Sequence, residues 1–247
     1  MPAKIILLIS ILFFLFGCDR FDQLQSKMRV FEIGATEYEI ETNRKDVSAL
    51  EKSLATNIYP IDTQMTRLLR DLSVRDSFPP PEWMAGMMNR YFWLNGISII
   101  DADQNILFRY PSVSIKDLSF SPAFPQALDL RQGRVMLAIE ESELGKEVLL
   151  ISSVYENFEI AGFIVVHFDP RTFIAQSNRP EDIILITDQE IAWTGQFENI
   201  TPLLQPIDWQ DKLTRRISGK ISLEHDQFFW FARAVGEDWL IYLIQDN

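Results

Sequence analysis

The chain has 247 residues and a formal net charge of −12 at pH 7. This charge, together with the lack of a basic stripe, argues against nucleic acid as a partner, because phosphate binding is driven by clustered lysines and arginines. Hydrophobic residues make up 47% of the chain and charged residues 23%, which is typical of a folded protein. The length allows one extended domain or two small ones.

The N-terminus has the pattern of a secretory signal peptide. Lys4 precedes an apolar run over residues 5–16, which is too short to span a bilayer comfortably. The run ends in Leu15, Phe16, Gly17 and Cys18, which resembles the lipobox of bacterial lipoproteins, although a small residue is more usual than Phe16. We therefore predict a signal peptide over residues 1–17.

Cys18 is the only cysteine, so an intramolecular disulfide is excluded. The lipobox resemblance implies a thioether-linked diacylglycerol on Cys18 and a lipidated tether over residues 18–43. The alternatives are an uncleaved membrane anchor or a buried cysteine. Asp19 resembles the inner-membrane retention signal of enteric lipoproteins, which implies a location in the cell envelope, lipid-anchored at the periplasmic face of the inner membrane.

Residues 44–94 are predicted to be helical. Apolar residues recur there at spacings of three or four, as in an amphipathic helix: Val47, Leu50, Leu54, Ile58, Ile61, Met65, Leu68 and Leu72. Asp46 is a candidate N-cap, and Pro60 should kink or split the helix. A second helix is predicted from Pro81 to about Trp93. The stripe is expected to pack on the rest of the chain; a dimer seam is the alternative.

Two extended runs follow, over residues 96–100 and 106–110, and the polar residues between them predict a hairpin. A short helical piece at 125–128 and three further strands complete this unit, at residues 134–139, 147–155 and 159–169.

The same succession recurs over residues 182–246. The stretch 184–191 echoes residues 99–106, and a short helix is predicted at 209–213. Strands are predicted at 219–224, 227–235 and 239–245.

The order of two strands, a helical crossover and three strands, with Tyr110 and Pro111 leaving the second strand, resembles the extracellular PAS-like sensor domains called Cache domains. The repeat implies a double Cache module. The implied fold class is α+β, with a long N-terminal helix packed on two PAS-like modules, each with a mainly antiparallel five-stranded sheet. Residues 95–178 would form the membrane-distal module and residues 179–247 the second module.

Motifs for catalysis are few. His167 and Asp169 fall on one face of a predicted strand, and the second histidine is His225. A zinc site lacks a third ligand at a recognisable spacing, and the sequence contains no Gly-x-Ser-x-Gly elbow, Walker loop or Gly-x-Gly-x-x-Gly. We predict no enzymatic activity, no metal and no cofactor; a hydrolase using His167 and Asp169 is the remaining alternative.

The Cache resemblance implies a small-molecule ligand on the distal sheet, under the segment that follows its second strand. The residues it places there are Arg90, Trp93, Arg109, Tyr110, Tyr155 and Asp169. An arginine and an aspartate would hold the two ends of an amino acid, while aromatic side chains form the walls. The full spacing of the amino-acid-sensing Cache subgroup is absent, which leaves the ligand class open between an amino acid and another small metabolite.

These observations predict a lipid-anchored extracytoplasmic sensor. The printed sequence ends at Asn247, shortly after the last predicted strand and without an output domain. We therefore expect its signal to pass to a membrane-bound kinase, cyclase or transporter. The alternative is an envelope structural or assembly lipoprotein that binds only proteins.

Overall fold

The structure is a computed structural model that describes residues 49–75, 77–116, 118–120, 134–224 and 226–246. The predicted signal peptide, Cys18, the tether, the start of the first helix with Asp46, the helical piece at 125–128 and His225 lie outside the described residues.

Helices precede the first sheet, as the periodicity predicts. They are α1 (Ala49–Asn57), α2 (Tyr59–Ser73) and α3 (Pro81–Arg90). The predicted break at Pro60 is confirmed, because this proline lies in the first turn of α2, where its missing N–H is not needed. The second helix ends earlier than predicted: Tyr91, with φ −114° and ψ 71°, leaves the helical conformation.

The first sheet is antiparallel and has five strands in the order β2-β1-β5-β4-β3. They are β1 (Gly96–Asp101), β2 (Ile106–Tyr110), β3 (Val135–Ser142), β4 (Gly145–Glu156) and β5 (Glu159–Phe168). A short helix, α4 (Pro170–Ile174), follows directly. β3 continues three residues beyond its predicted end at Ile139, because it pairs with β4 up to the turn between Ser142 and Gly145.

The second sheet repeats this order as β7-β6-β10-β9-β8, again antiparallel. Its strands are β6 (Ile183–Thr187), β7 (Ile191–Trp193), β8 (Ser218–Leu223), β9 (Asp226–Val235) and β10 (Asp238–Gln245). Between β7 and β8 lie α5 (Thr201–Leu204) and α6 (Trp209–Arg215). The predicted α+β class, with helices packed on two five-stranded antiparallel sheets, is confirmed.

The apolar stripe of α2 packs inside the chain. Its residues are buried in one core with both sheets: Ile61, Met65, Leu68 and Leu72. Ile97 and Leu150 belong to the same core in the first sheet, and Leu185 and Tyr242 in the second. The alternative of a dimer seam is therefore wrong for these residues.

Ion pairs and hydrogen bonds also connect the elements around this core. Arg233 in β9 pairs with Asp62 in α2 through two hydrogen bonds, one of them 2.8 Å from Nε to Oδ1. The carboxylate of Asp238 in β10 accepts the backbone N–H of Leu137 in β3 at 2.9 Å. Polar contacts between residues far apart in the sequence thus join α2 to the second sheet, and the second sheet to the first.

Candidate functional site

The first sheet has one face on the helices and a second face that we call the pocket face. Alternate residues of a strand point to opposite sides, so the side chains of the pocket face are found at every second position. A separate apolar cluster covers this face: Ile100, Leu118, Phe120, Met136, Leu149, Ile151, Phe163 and Val165. The segment after β2 supplies Leu118 and Phe120, as the crossover of a PAS-like module would.

A buried lysine ties that segment to the sheet. Lys116 Nζ lies 2.9 Å from Glu147 Oε1 and 2.8 Å from Asp169 Oδ2, and it donates to the backbone carbonyl of Lys146 at 3.0 Å. The Lys116 side chain is 8% exposed and the Glu147 side chain 0%. Charges removed from water to this degree are tolerated only when they are paired and hydrogen-bonded.

The second oxygen of Glu147 is also engaged. His167 Nδ1 lies 3.0 Å from Glu147 Oε2, and Asn95 Nδ2 donates to Oε1 at 2.6 Å. The ring of His167 lies against the backbone, because a Cβ at Gly96 would be 2.5 Å from His167 Nε2. We call the following set the buried ionic network: Asn95, Lys116, Glu147, His167, Asp169 and Arg171.

Asp169 is held by two cations. Arg171 donates from Nε to Oδ1 at 2.9 Å and from its terminal nitrogen to Oδ2 at 2.5 Å, while its backbone N–H is capped by Oδ1 at 2.8 Å. Burial raises the pKa of Asp169, but the hydrogen bonds from Arg171 and Lys116 outweigh burial and bring the pKa down to about 2. Asp169 is therefore ionised at neutral pH, with both oxygens occupied.

Arg109 lies on the pocket face, and no acidic side chain of the described residues pairs with its guanidinium. Its guanidinium carbon is 5.9 Å from the centroid of the Phe120 ring, which in turn is 6.0 Å from the ring of His167. Phe120 is buried and adopts φ +57°, and Glu140 fixes this backbone by accepting the N–H groups of Ser119 and Phe120 at 2.7 and 2.9 Å. Phe120 thus separates Arg109 from the buried ionic network.

Ser98 is the residue directly across from Arg109 in the β1–β2 ladder. Its side chain is 0% exposed, and its hydroxyl has no hydrogen-bond partner in the part of the chain that the structure describes. A buried hydroxyl without a partner is unfavourable, so this face contains a polar group whose loss of water is not offset by any described residue.

The structure brings only some of the predicted site residues together. Arg109 and Asp169 border the same region of the pocket face, on either side of Phe120 and His167. Tyr110 lies across from Ile97, whose side chain is in the core on the helical side. The ring of Tyr110 is therefore on the helical face of the sheet and not on the pocket face.

Trp93 and Arg90 are not placed near Asp169's carboxylate. Trp93 packs in the core on the helical side, with its ring 4.9 Å from Phe168 and 4.7 Å from Phe173. Arg90 is exposed and pairs with Asp71 at 2.6 Å. The structure therefore does not bring these two residues together with Asp169, because α3 packs on the helical side of the first sheet.

Tyr155 belongs to the opposite end of the pocket face. It pairs with Ile160 near the β4–β5 turn, eight residues along β4 from Glu147. A strand rises about 3.3 Å per residue, so Tyr155 is about 26 Å from Glu147. One small ligand does not contact both Tyr155 and the buried ionic network.

Sequence reasoning missed Lys116, Glu147, Arg171, Asn95 and Ser98. One signal was present: Glu147 stands at the beginning of an apolar strand, and a charge in a buried strand requires a partner. The partner, Lys116, lies in an irregular segment, where periodicity carries no information.

The predicted pairing of His167 with Asp169 is wrong. Asp169 follows β5 as the N-cap of α4, and His167 contacts Glu147 instead. The hydrolase alternative therefore loses the pair on which it rested. Within the described ranges, no group of three or more metal-ligating side chains is arranged to hold a metal ion.

A concave site of about 160 Å³ lies between β3, the β6–β7 turn and the first residue of β10. Its rim is acidic, with Glu140, Asp188, Glu190 and Asp238. Burial raises the pKa of Asp238, and the nearby carboxylates of Asp188 and Glu237 act in the same direction, against the hydrogen bond from Leu137. Glu140 accepts the backbone N–H of Ser119, and Asp238 accepts that of Leu137, so two of the acidic side chains at this site already hydrogen-bond to neighbouring segments.

Comparison with solved structures shows where this fold occurs. The ligand-binding domain of the Pseudomonas fluorescens chemoreceptor CtaA, solved in complex with L-serine, superposes with a TM-score of 0.50 at 14% identity over 80% of this chain and 95% of that one. The extracellular domain of vpHK1S-Z8, described as a histidine kinase, gives a TM-score of 0.50 at 12% identity, covering 79% of this chain and 88% of that one.

A third structure is an extracellular ligand-binding receptor from Desulfohalobium retbaense DSM5692, with a TM-score of 0.48 and 14% identity. The match covers 78% of this chain and 38% of the receptor. No protein-family model and no curated protein matches the chain.

The chain has the fold of double Cache sensor domains. Among the helices that the structure describes, none is long and apolar enough to cross a membrane.

Proposed function

We propose that the protein is an extracytoplasmic sensor that binds a small molecule on the pocket face of its first sheet. The observation that carries this proposal is a pair of donors that face each other on the pocket face. Arg109 is half-buried there, and the buried hydroxyl of Ser98 across the ladder has no hydrogen-bond partner among the described residues.

The shared fold supports a role in sensing. CtaA binds L-serine in its solved complex, and vpHK1S-Z8 carries this fold on the outside of a histidine kinase. For this chain we propose an amino acid or another small metabolite as ligand, and a membrane-bound kinase, cyclase or transporter as the partner that receives the signal. Residues 95–178 would be the ligand-binding module and residues 179–247 the second module.

The anchor is a further part of the proposal. We propose that residues 1–17 are removed as a signal peptide and that Cys18 carries the lipid, which would hold the protein at the periplasmic face of the inner membrane. More than one acyl chain is needed for stable anchoring. Mass spectrometry of the N-terminal peptide should find diacylglycerol on Cys18, and a Cys18→Ser variant should leave the membrane fraction.

Thermal unfolding of the full-length protein with a panel of metabolites tests ligand binding. A ligand at about 100 times its dissociation constant should stabilise the fold by about 2.7 kcal/mol. The chain offers a matched pair of serines, Ser98 and Ser152. Both are buried, and neither hydroxyl has a partner among the described residues, but they lie on opposite faces of the first sheet. Ser98→Ala should reduce the ligand-induced shift and Ser152→Ala should not.

One observation favours the alternative of a lipoprotein that binds only proteins. Phe158, at the β4–β5 turn, is 99% exposed, and an aromatic side chain in this position suits contact with another protein. This alternative predicts no stabilisation by any metabolite, together with one stoichiometric envelope partner whose binding is lost in Phe158→Ser.

A further inference from the structure

We propose that the ligand of the pocket face is a small apolar monocarboxylate without an ammonium group, bound through Arg109 and Ser98. This inference rests on the proposed sensor function and names its class of ligand. It follows from which charges on the pocket face are already paired and which are not.

Arg109 is the cation available to a ligand. Its guanidinium lies over the ring of Phe120, and no carboxylate of the described residues is within ion-pair distance of it. The side chain is half-buried, so water satisfies only part of its donors. A guanidinium presents its N–H groups in a planar fork that matches the two oxygens of a carboxylate.

Ser98 supplies a second donor at the same place. Ser98 and Arg109 face each other directly in an antiparallel pair, where the Cβ atoms are about 4.5–5.5 Å apart. The Ser98 hydroxyl is buried and unpartnered, so a carboxylate oxygen held by Arg109 would also accept from Ser98 Oγ. Neither group has to give up a side-chain hydrogen bond to another described residue to bind it.

Apolar side chains surround this pair of donors. Val165 lies next to Ser98 on β5, and Ile100 and Phe163 continue the apolar surface on the same face. The ring of Phe120 forms a wall beside Arg109. A hydrocarbon or aromatic tail attached to the carboxylate is the complement of this surface.

The ammonium group of an amino acid has no counterpart here. The acidic side chains on the described part of this face are Glu140, Glu147 and Asp169, and each already has donors on both oxygens. Lys116 places its own ammonium between Glu147 and Asp169. The ammonium of an amino acid whose carboxylate is held by Arg109 would therefore remain without a free acidic partner among the described residues.

Calorimetric titration of the full-length protein with three pairs of compounds tests the inference. Each pair differs only by the ammonium group: propanoate and L-alanine, 4-methylpentanoate and L-leucine, 3-phenylpropanoate and L-phenylalanine. We expect at least one carboxylate to bind, and to bind at least about tenfold more tightly than its amino acid, because the ammonium would be left without a buried partner.

Variants locate the site. Arg109→Gln should weaken the binding carboxylate at least about tenfold, as expected for loss of a charge-assisted hydrogen bond, and Ser98→Ala should weaken it several-fold. Arg67→Gln, which changes an exposed arginine on α2, is the matched control and should bind as the wild type does. Unchanged unfolding temperatures of the unliganded variants show that each is folded.

Three results would overturn the inference. If amino acids bind and their desamino partners do not, the ligand class is wrong while the sensor function stands. If a carboxylate binds equally well to Arg109→Gln, the site is wrong. If none of the six compounds binds, the proposed ligand class also fails, and the thermal-unfolding panel decides separately whether the sensor proposal fails with it.

Discussion

The ammonium of Lys116 lies 2.8 Å from the carboxylate of Asp169, a residue 53 positions further along the chain. This ion pair fastens the segment that follows β2 to the N-terminus of α4. Glu147 in β4 forms a second ion pair with the same ammonium, at 2.9 Å. The pocket face is therefore bordered by charges that neutralise one another, while Arg109 and Ser98 have no polar side-chain partner among the described residues.

Replacing Lys116 by methionine should destabilise the fold strongly. The variant keeps the volume of the side chain but leaves Glu147 and Asp169 with one cation fewer in a buried site. Removing one partner of a buried ion pair costs about 3–5 kcal/mol. Urea unfolding measures this free energy. The matched control is Lys220→Met, because Lys220 forms a half-exposed pair with Asp246; the control should lose no more than about 1 kcal/mol. Equal losses in the two variants would contradict a stabilising role for the buried ionic network.

Stability should fall between about pH 4 and pH 2 as Asp169 is protonated. The folded-state pKa of Asp169 is about 2, and an unfolded aspartate has a pKa of about 3.9. A lowered folded-state pKa contributes stability that is present above the unfolded pKa and is lost as the pH falls towards the folded value. Unfolding free energies should therefore decline less steeply over this range in Asp169→Asn than in the wild type, although the variant is less stable at neutral pH. Parallel pH profiles would show that Asp169 does not have the low pKa.

Asp62 and Arg233 should be energetically coupled. Their ion pair joins α2 to β9 beside the buried ring of Tyr242. A double-mutant cycle with Asp62→Asn and Arg233→Gln should give a coupling energy of about 1–3 kcal/mol. The exposed pair of Arg215 and Asp211 on α6 is the control and should give about 0.5 kcal/mol or less. A coupling energy near zero for Asp62 and Arg233 would mean that the pair does not link the helix to the second sheet.

Phe158→Gly should stabilise the protein. Phe158 has φ +68° in the β4–β5 turn, a conformation that costs a residue with a side chain about 1–2 kcal/mol. Because the ring is 99% exposed, its removal sacrifices no packing. A rise of about 1 kcal/mol in the unfolding free energy is expected, offset in part by the flexibility of glycine in the unfolded chain. Asn157→Gly is the control, since asparagine tolerates its own φ of +52° and should gain less. A destabilised Phe158→Gly would show that the ring makes contacts in solution.

Local patterns explain why the fold was predictable from the sequence and most of the site was not. The stripe from Ile58 to Leu72 and the break at Pro60 are properties of neighbouring residues, and so is the hairpin across Asp101 to Asn105. They therefore appear in the structure as predicted. The ion pairs of Lys116 are instead with Glu147 and Asp169, which are 31 and 53 positions away. No periodicity in the sequence predicts these contacts.

The position of Trp93 also could not be predicted from local sequence. An aromatic residue just before a strand suits a pocket wall and a core equally well, and only the side of the sheet on which α3 packs decides between them. Ser98 was overlooked because a serine inside an apolar strand gives no indication of which residue lies across from it in the sheet. Its significance depends on Arg109 lying across the ladder.

The most direct test of the central claim is to identify what the full-length protein carries when it is purified from its native host. Native mass spectrometry of the wild type should detect one small molecule bound per protein chain. The same molecule should remain in Arg67→Gln and be depleted in Arg109→Gln. A protein that is empty under every growth condition, or a molecule retained unchanged by Arg109→Gln, would contradict the claim that the pocket face of the first sheet is the sensing site.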